Sequence, residues 1–109
     1  MVSDKFYSYL GLTMRAGKLT TGEDGVLKAM RSGDAKLVIL ARDAGPNTLK
    51  KFSDKCRSYG IPLMIAGDRS QIGASIGKEA RVVVGILDGG FAKMLQNCQV
   101  NPTEVNGIE

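Results

Sequence analysis

Apolar residues recur along this chain in two rhythms. Steps of three and four residues predict one face of a helix, while short unbroken apolar runs between polar breaks predict strands buried on both faces. From Ser3, a candidate helix cap, Phe6, Tyr7, Leu10 and Met14 fall at helical spacing. Arg15 suits a helix C-terminus, and Gly17 ends the element. "KLTT" is at most a short strand. Residues 22 to 32 predict a second helix, with Val26, Leu27 and Met30 as its apolar stripe and Gly33 as its terminator.

The run "AKLVILA", 35 to 41, sits between Asp34 and Arg42 and predicts a fully buried strand. Pro46 opens a helix whose buried face carries Leu49, Phe52, Cys56 and Tyr59, with Gly60 at its end. "IPLMIA", 61 to 66, predicts a strand with Pro62 at its start. "DRSQIGASIG" predicts a short helix turning Ile72 and Ile76 inward, and "RVVVGIL", 81 to 87, gives the strongest strand pattern. Asp88 then caps a last helix, "GGFAKMLQNC". This alternation predicts one α/β domain over residues 1 to 98, a central sheet with helices on both faces. Residues 99 to 109 hold Pro102 and no apolar repeat, so a flexible tail is expected there.

Composition agrees with a single domain. The chain has 109 residues, 43% of them apolar, which is enough for one core without covalent staples. No apolar run approaches the ~20 residues that a membrane-spanning helix needs. The net charge of +4 is unevenly placed, because residues 1 to 60 alone carry +5. A basic half suits either solubility or a polyanionic partner, since lysine and arginine that neutralise phosphates release condensed counterions.

Catalytic machinery is sparse. With no histidine in the chain, the commonest general base is absent, and a zinc site has too few ligands. Cys56 and Cys98 form no CxxC pair and fit free thiols in a reducing cytoplasm. Asp43, Asp68 and Asp88 each stand where a strand or loop meets a helix, a place where sites gather in α/β sheets and also where helix starts favour acids. No GxGxxG or Walker pattern is present.

A binding surface is better supported. Asp24, Lys28 and Arg31 lie at i, i+4 and i+7 on one helix face. The helix start around Gly22 to Gly25 offers free backbone N–H groups to an anion, and Arg15 and Lys18 come just before it. The same residues also fit a purely structural role. Thr21 followed by Asp24 matches a capping box, and Asp24 with Lys28 matches a stabilising ion pair.

The stretches "GKLTTGED", "NTLKK" and "GKEARVVV", read together over residues 6 to 97, resemble the small bacterial YlxQ-type proteins, within the superfamily of kink-turn RNA-binding ribosomal proteins. The resemblance implies a three-layer α/β/α sandwich with a central four-stranded mixed sheet. It implies a non-enzymatic, cytoplasmic monomer without cofactor, bound to structured RNA such as ribosomal RNA. A protein-interaction module serving ribosomal or transcription–translation proteins is the alternative. The family pattern carries over to Gly22, which opens the second helix, and to Lys28. Asp24 stands where the family has Asn, and Gly25 where it has Glu. Asp is acceptor-only when ionised and Gly has no side chain, so the base-reading pair differs here. The family's second RNA contact is the loop before the last strand, here Lys78, Glu79, Ala80 and Arg81. The implied RNA contacts are therefore Arg15, Lys18, Gly22, Asp24, Gly25, Lys28 and Arg31, with that loop as a clamp.

Overall fold

The computed structural model describes residues 3–98; the expected tail at 99 to 109 lies outside the described residues. Five helices and four strands alternate: α1 (Asp4–Arg15), β1 (Leu19–Thr21), α2 (Glu23–Ser32), β2 (Leu37–Leu40), α3 (Pro46–Tyr59), β3 (Leu63–Ile65), α4 (Arg69–Ser75), β4 (Val83–Ile86) and α5 (Gly89–Asn97). The strands lie in the order β1-β4-β2-β3. β4 is antiparallel to both β1 and β2, whereas β2 and β3 are parallel and joined through α3. The sheet is therefore mixed, as the family resemblance implied.

Alternation along β2 divides the core into two layers. Leu37, Ile39 and the following Ala41 point to the side of α1, α4 and α5, where Phe6, Leu10, Ile72 and Leu95 are fully or nearly fully buried. Val38 and Leu40 point the other way, onto Val26 and Met30 of α2 and Phe52 and Cys56 of α3. Every residue of β2 and of β4 is buried, which is why both strands read as unbroken apolar runs. Helices cover both faces, giving the three-layer sandwich.

Two local expectations change. Tyr59 falls on the helical repeat of α3 but is 43% exposed, because it sits in the last turn beside Gly60, beyond the reach of the core that holds Phe52 and Cys56. Thr21 does not cap α2. Its hydroxyl donates to the Val83 carbonyl at 3.2 Å, so it belongs to β1, and Gly22 takes the cap position.

The three aspartates at the helix starts act on backbone. Asp68 caps α4 through Gln71 N–H in a complete capping box, and Asp88 caps α5 through Phe91 N–H. Asp43 holds the start of α4 from outside, accepting from Arg69 N–H and from its guanidinium. Desolvation would raise the Asp43 pKa, but those bonds from Arg69 outweigh it and hold the carboxyl below its ordinary value. Among the described residues no cluster of histidine, cysteine and acid could hold a metal ion. No helix among the described residues is long and apolar enough to cross a membrane.

Candidate nucleic-acid interface

The α2 start is built on Gly22. Its φ of 88° and ψ of 155° belong to a region open to glycine and closed to L side chains. That conformation turns the chain sharply out of β1 and into α2. The Gly22 N–H donates to Val83 O at 3.2 Å, and its carbonyl accepts from Val26 N–H at 3.0 Å. The first-turn N–H groups of Glu23, Asp24 and Gly25 have no intrahelical partner, and no side chain caps them. The positive end of the α2 dipole thus opens outward.

Around this point lie the other expected groups. Asp24, Lys28 and Arg31 are all exposed, as their shared face predicts. The expected Asp24–Lys28 pair is not formed: the ion pairs among the described residues join Lys50 and Arg57 to Asp54, Lys51 to Glu23, and Arg69 to Asp43. Lys28 therefore keeps its charge for another partner. Glu23 is the first-turn acid that finds a cation. It accepts from Lys51 at 2.8 Å and from the Thr48 hydroxyl at 3.2 Å, which ties α2 to α3. The Lys51 hydrogen bond holds the Glu23 carboxyl below its ordinary value. Sequence reasoning assigned no role to Thr48 and Lys51; their place in "NTLKK" was the available signal.

The loop before β4 reaches the same end of the sheet. Val83, whose carbonyl takes the Gly22 and Thr21 bonds, stands two residues after Arg81. Lys78, Glu79 and Ala80 are exposed. Arg81 is half-buried, and its guanidinium donates to the Glu79 and Ala80 carbonyls at 3.3 and 3.0 Å. Arg81 thus shapes its own loop, a role beyond the phosphate clamp expected of it. The loop also lies close on α4: a Cβ on Gly73 would collide with the Glu79 carbonyl oxygen.

Arg15 and Lys18 are exposed but sit beyond the far end of β1 from Gly22, with Lys18 separated from it by about 13 Å for four residues at ~3.3 Å per residue. Lys18 still belongs to the surface, because a groove of about 490 Å³ links it to Lys28 along the β1 side of α2. Thr20 and Gly25 lie towards the α2 start in this groove, and Asp34 and Leu87 lie with Lys18 at its other end. The two ends of the groove come from segments far apart in sequence, and nothing in the sequence pattern announced it.

An open helix start, a neighbouring loop and cations without an ion-pair partner among the described residues meet at one edge of the three-layer α/β/α sandwich. Residues 4–96 match the ribosomal protein L7Ae/L30e/S12e/Gadd45 family, and the chain belongs to that family. It is 50% identical over 91 residues to the RNA-binding protein YlxQ of Bacillus subtilis, covering 84% of this chain and 91% of that one. It is 33% identical over 98 residues to the large ribosomal subunit protein eL30B of Schizosaccharomyces pombe, covering 84% and 80%. Among solved structures, a protein of unknown function from Bacillus halodurans superposes with a TM-score of 0.85 at 48% identity, over 88% of this chain and 97% of that one. The Giardia lamblia 15.5kD RNA binding protein shares the fold, with a TM-score of 0.75 at 19% identity over 90% and 91% of the two chains.

Proposed function

We propose that this protein binds structured RNA, without catalysis or cofactor, through the start of α2 and the loop before β4. The observation that carries the reading is the uncapped α2 start set by Gly22, beside Lys28, which takes part in no ion pair among the described residues. Backbone N–H groups and the helix dipole suit a phosphate, and Lys28 supplies the charge. The relatives described as RNA-binding and ribosomal proteins support it.

Each residue then has a role. Lys28, Arg31 and Lys78 face phosphates, with Lys18 and Arg15 further along the same rim. Asp24 accepts from a base edge or a 2′-hydroxyl, which an ionised carboxylate can do and the family's Asn does differently. Gly25 contributes its N–H and the space left by a missing side chain. Glu79 and Ala80 present the tip of the loop, while Arg81 holds its shape. Recognition of this kind reads shape and backbone as much as sequence, so the RNA feature is kink-turn-like or related to it. The setting is the cytoplasmic ribosome, with the protein acting as a monomer.

The test is a titration with two RNAs of equal length, one containing a kink-turn and one a plain hairpin, at several salt concentrations. Affinity for the kink-turn RNA is expected to fall steeply with salt, with the slope set by the number of phosphates contacted. Lys28→Ala is expected to weaken binding and to reduce that slope by about 1. Lys93→Ala, on α5 and across the molecule, is expected to change neither. No binding at low salt, or equal effects of the two substitutions, would refute the reading.

A further inference from the structure

Beyond the α2 start, the groove between β1 and α2 has a chemistry of its own. We infer that it seats a single guanine nucleotide; the inference rests on the RNA reading above and extends it to a neighbouring, unpaired residue of the same RNA. Four features on the groove wall lead to that ligand. Lys18 and Lys28 both line it, and neither takes part in an ion pair among the described residues. A phosphate between them would be neutralised from two sides.

Asp34, at the far end, is also exposed and outside those ion pairs. One of its oxygens accepts from the Ser32 hydroxyl at 2.9 Å, which sets the direction of the carboxylate. An ionised carboxylate accepts hydrogen bonds and donates none. Guanine is the base whose pairing edge places two donors side by side, the ring N–H and the exocyclic amino group. Adenine and cytosine offer one donor beside an acceptor there, and uracil sets its single N–H between two carbonyls.

The remaining walls suit a flat ring. Leu87 and Ala29 give apolar surface. Gly25 keeps the end near the α2 start open, since a Cβ there would fall 2.7 Å from the Thr20 hydroxyl and fill the space between helix and strand. The volume lies within the range of small-ligand sites. The groove is continuous with the α2 start through Lys28, so one strand of RNA can occupy both.

The test is amide chemical-shift mapping of the full chain at low salt with GMP, AMP, CMP and UMP, and with the dinucleotide GpG. GMP is expected to move the amides of Gly25, Ala29 and Leu87 and to bind at least threefold tighter than UMP. Asp34→Ala is expected to bring GMP down to the UMP level. GpG is expected to bind at least threefold tighter than GMP, because a linked strand adds contacts that a free nucleotide lacks. Equal binding of GMP and GpG at the groove would overturn RNA as the source and leave a free nucleotide as the ligand. Equal binding of GMP and UMP, or shifts confined to α1 and α5, would overturn the site. Loss of the groove signal while Lys28→Ala still weakens structured RNA would overturn this inference alone. Equal effects of Lys28→Ala and Lys93→Ala on structured RNA would instead overturn the RNA face itself.

Discussion

Replacing Gly22 by alanine isolates what the α2 start depends on. A Cβ at this position meets nothing within 4 Å, so the cost is conformational and not steric. Holding an L residue at φ 88°, ψ 155° costs about 1–3 kcal/mol. Alanine recovers about 0.4–1 kcal/mol by narrowing the unfolded ensemble. The net loss is centred on about 1.3 kcal/mol and reaches about 2.5 kcal/mol, which in a domain of this size lowers Tm by about 5–15 °C. Chemical and thermal unfolding followed by circular dichroism would measure it. D-alanine at the same position accommodates positive φ and is expected to restore the stability. Gly45 is the control. Its φ of −64° suits any residue, and no side chain caps α3 there, so Gly45→Ser is expected to add about 0.3 kcal/mol. A Gly22→Ala loss below about 0.5 kcal/mol, the scatter of ordinary surface changes, would refute the conformational argument. If alanine forces the turn to relax, the first N–H groups of α2 also swing away, and RNA affinity falls with stability.

Other consequences can be checked separately. Gly73→Ala is expected to destabilise by about 1–3 kcal/mol, read by urea unfolding, because its Cβ would collide with the Glu79 carbonyl and push the loop off α4. Cys56 is buried, and desolvation pushes its thiol up to about 11. Iodoacetamide at neutral pH is therefore expected to label Cys98 in the native protein and to reach Cys56 only after denaturant is added, as peptide mass mapping would show. Glu23 has a depressed carboxyl pKa, so its pair with Lys51 and Thr48 adds stability above the ordinary carboxylate range, and that stability is lost as pH falls through the depressed value. Both partners are well exposed, so solvent screening keeps the contribution under about 1 kcal/mol. Glu23→Gln is expected to flatten that part of the stability–pH curve.

The elements were legible in the sequence because burial is nearly complete where the apolar runs are longest. β2 and β4 carry side chains into both core layers, and their residues have no polar alternates. β1 was faint because it is an edge strand of three residues with only half-buried side chains. The strand order was not legible, since placing β4 between β1 and β2 depends on pairing between segments distant in the chain. At the site, the exposed face of Asp24, Lys28 and Arg31 followed from helical spacing alone. The cap did not: the Thr21 pattern fitted a capping box, but the positive φ of Gly22 kept Thr21 in the strand. The Glu23–Lys51 bridge, the inward turn of Arg81 and the groove from Lys18 to Asp34 all join residues that only the folded chain brings together.

The central claim is that RNA meets this protein at the start of α2. Ultraviolet crosslinking in cells, followed by mass mapping of the crosslinked peptides, tests it most directly. The account predicts crosslinks within residues 15 to 36 and 78 to 81. Crosslinks confined to residues 4 to 14 and to α5, or a protein that recovers no RNA, would contradict it.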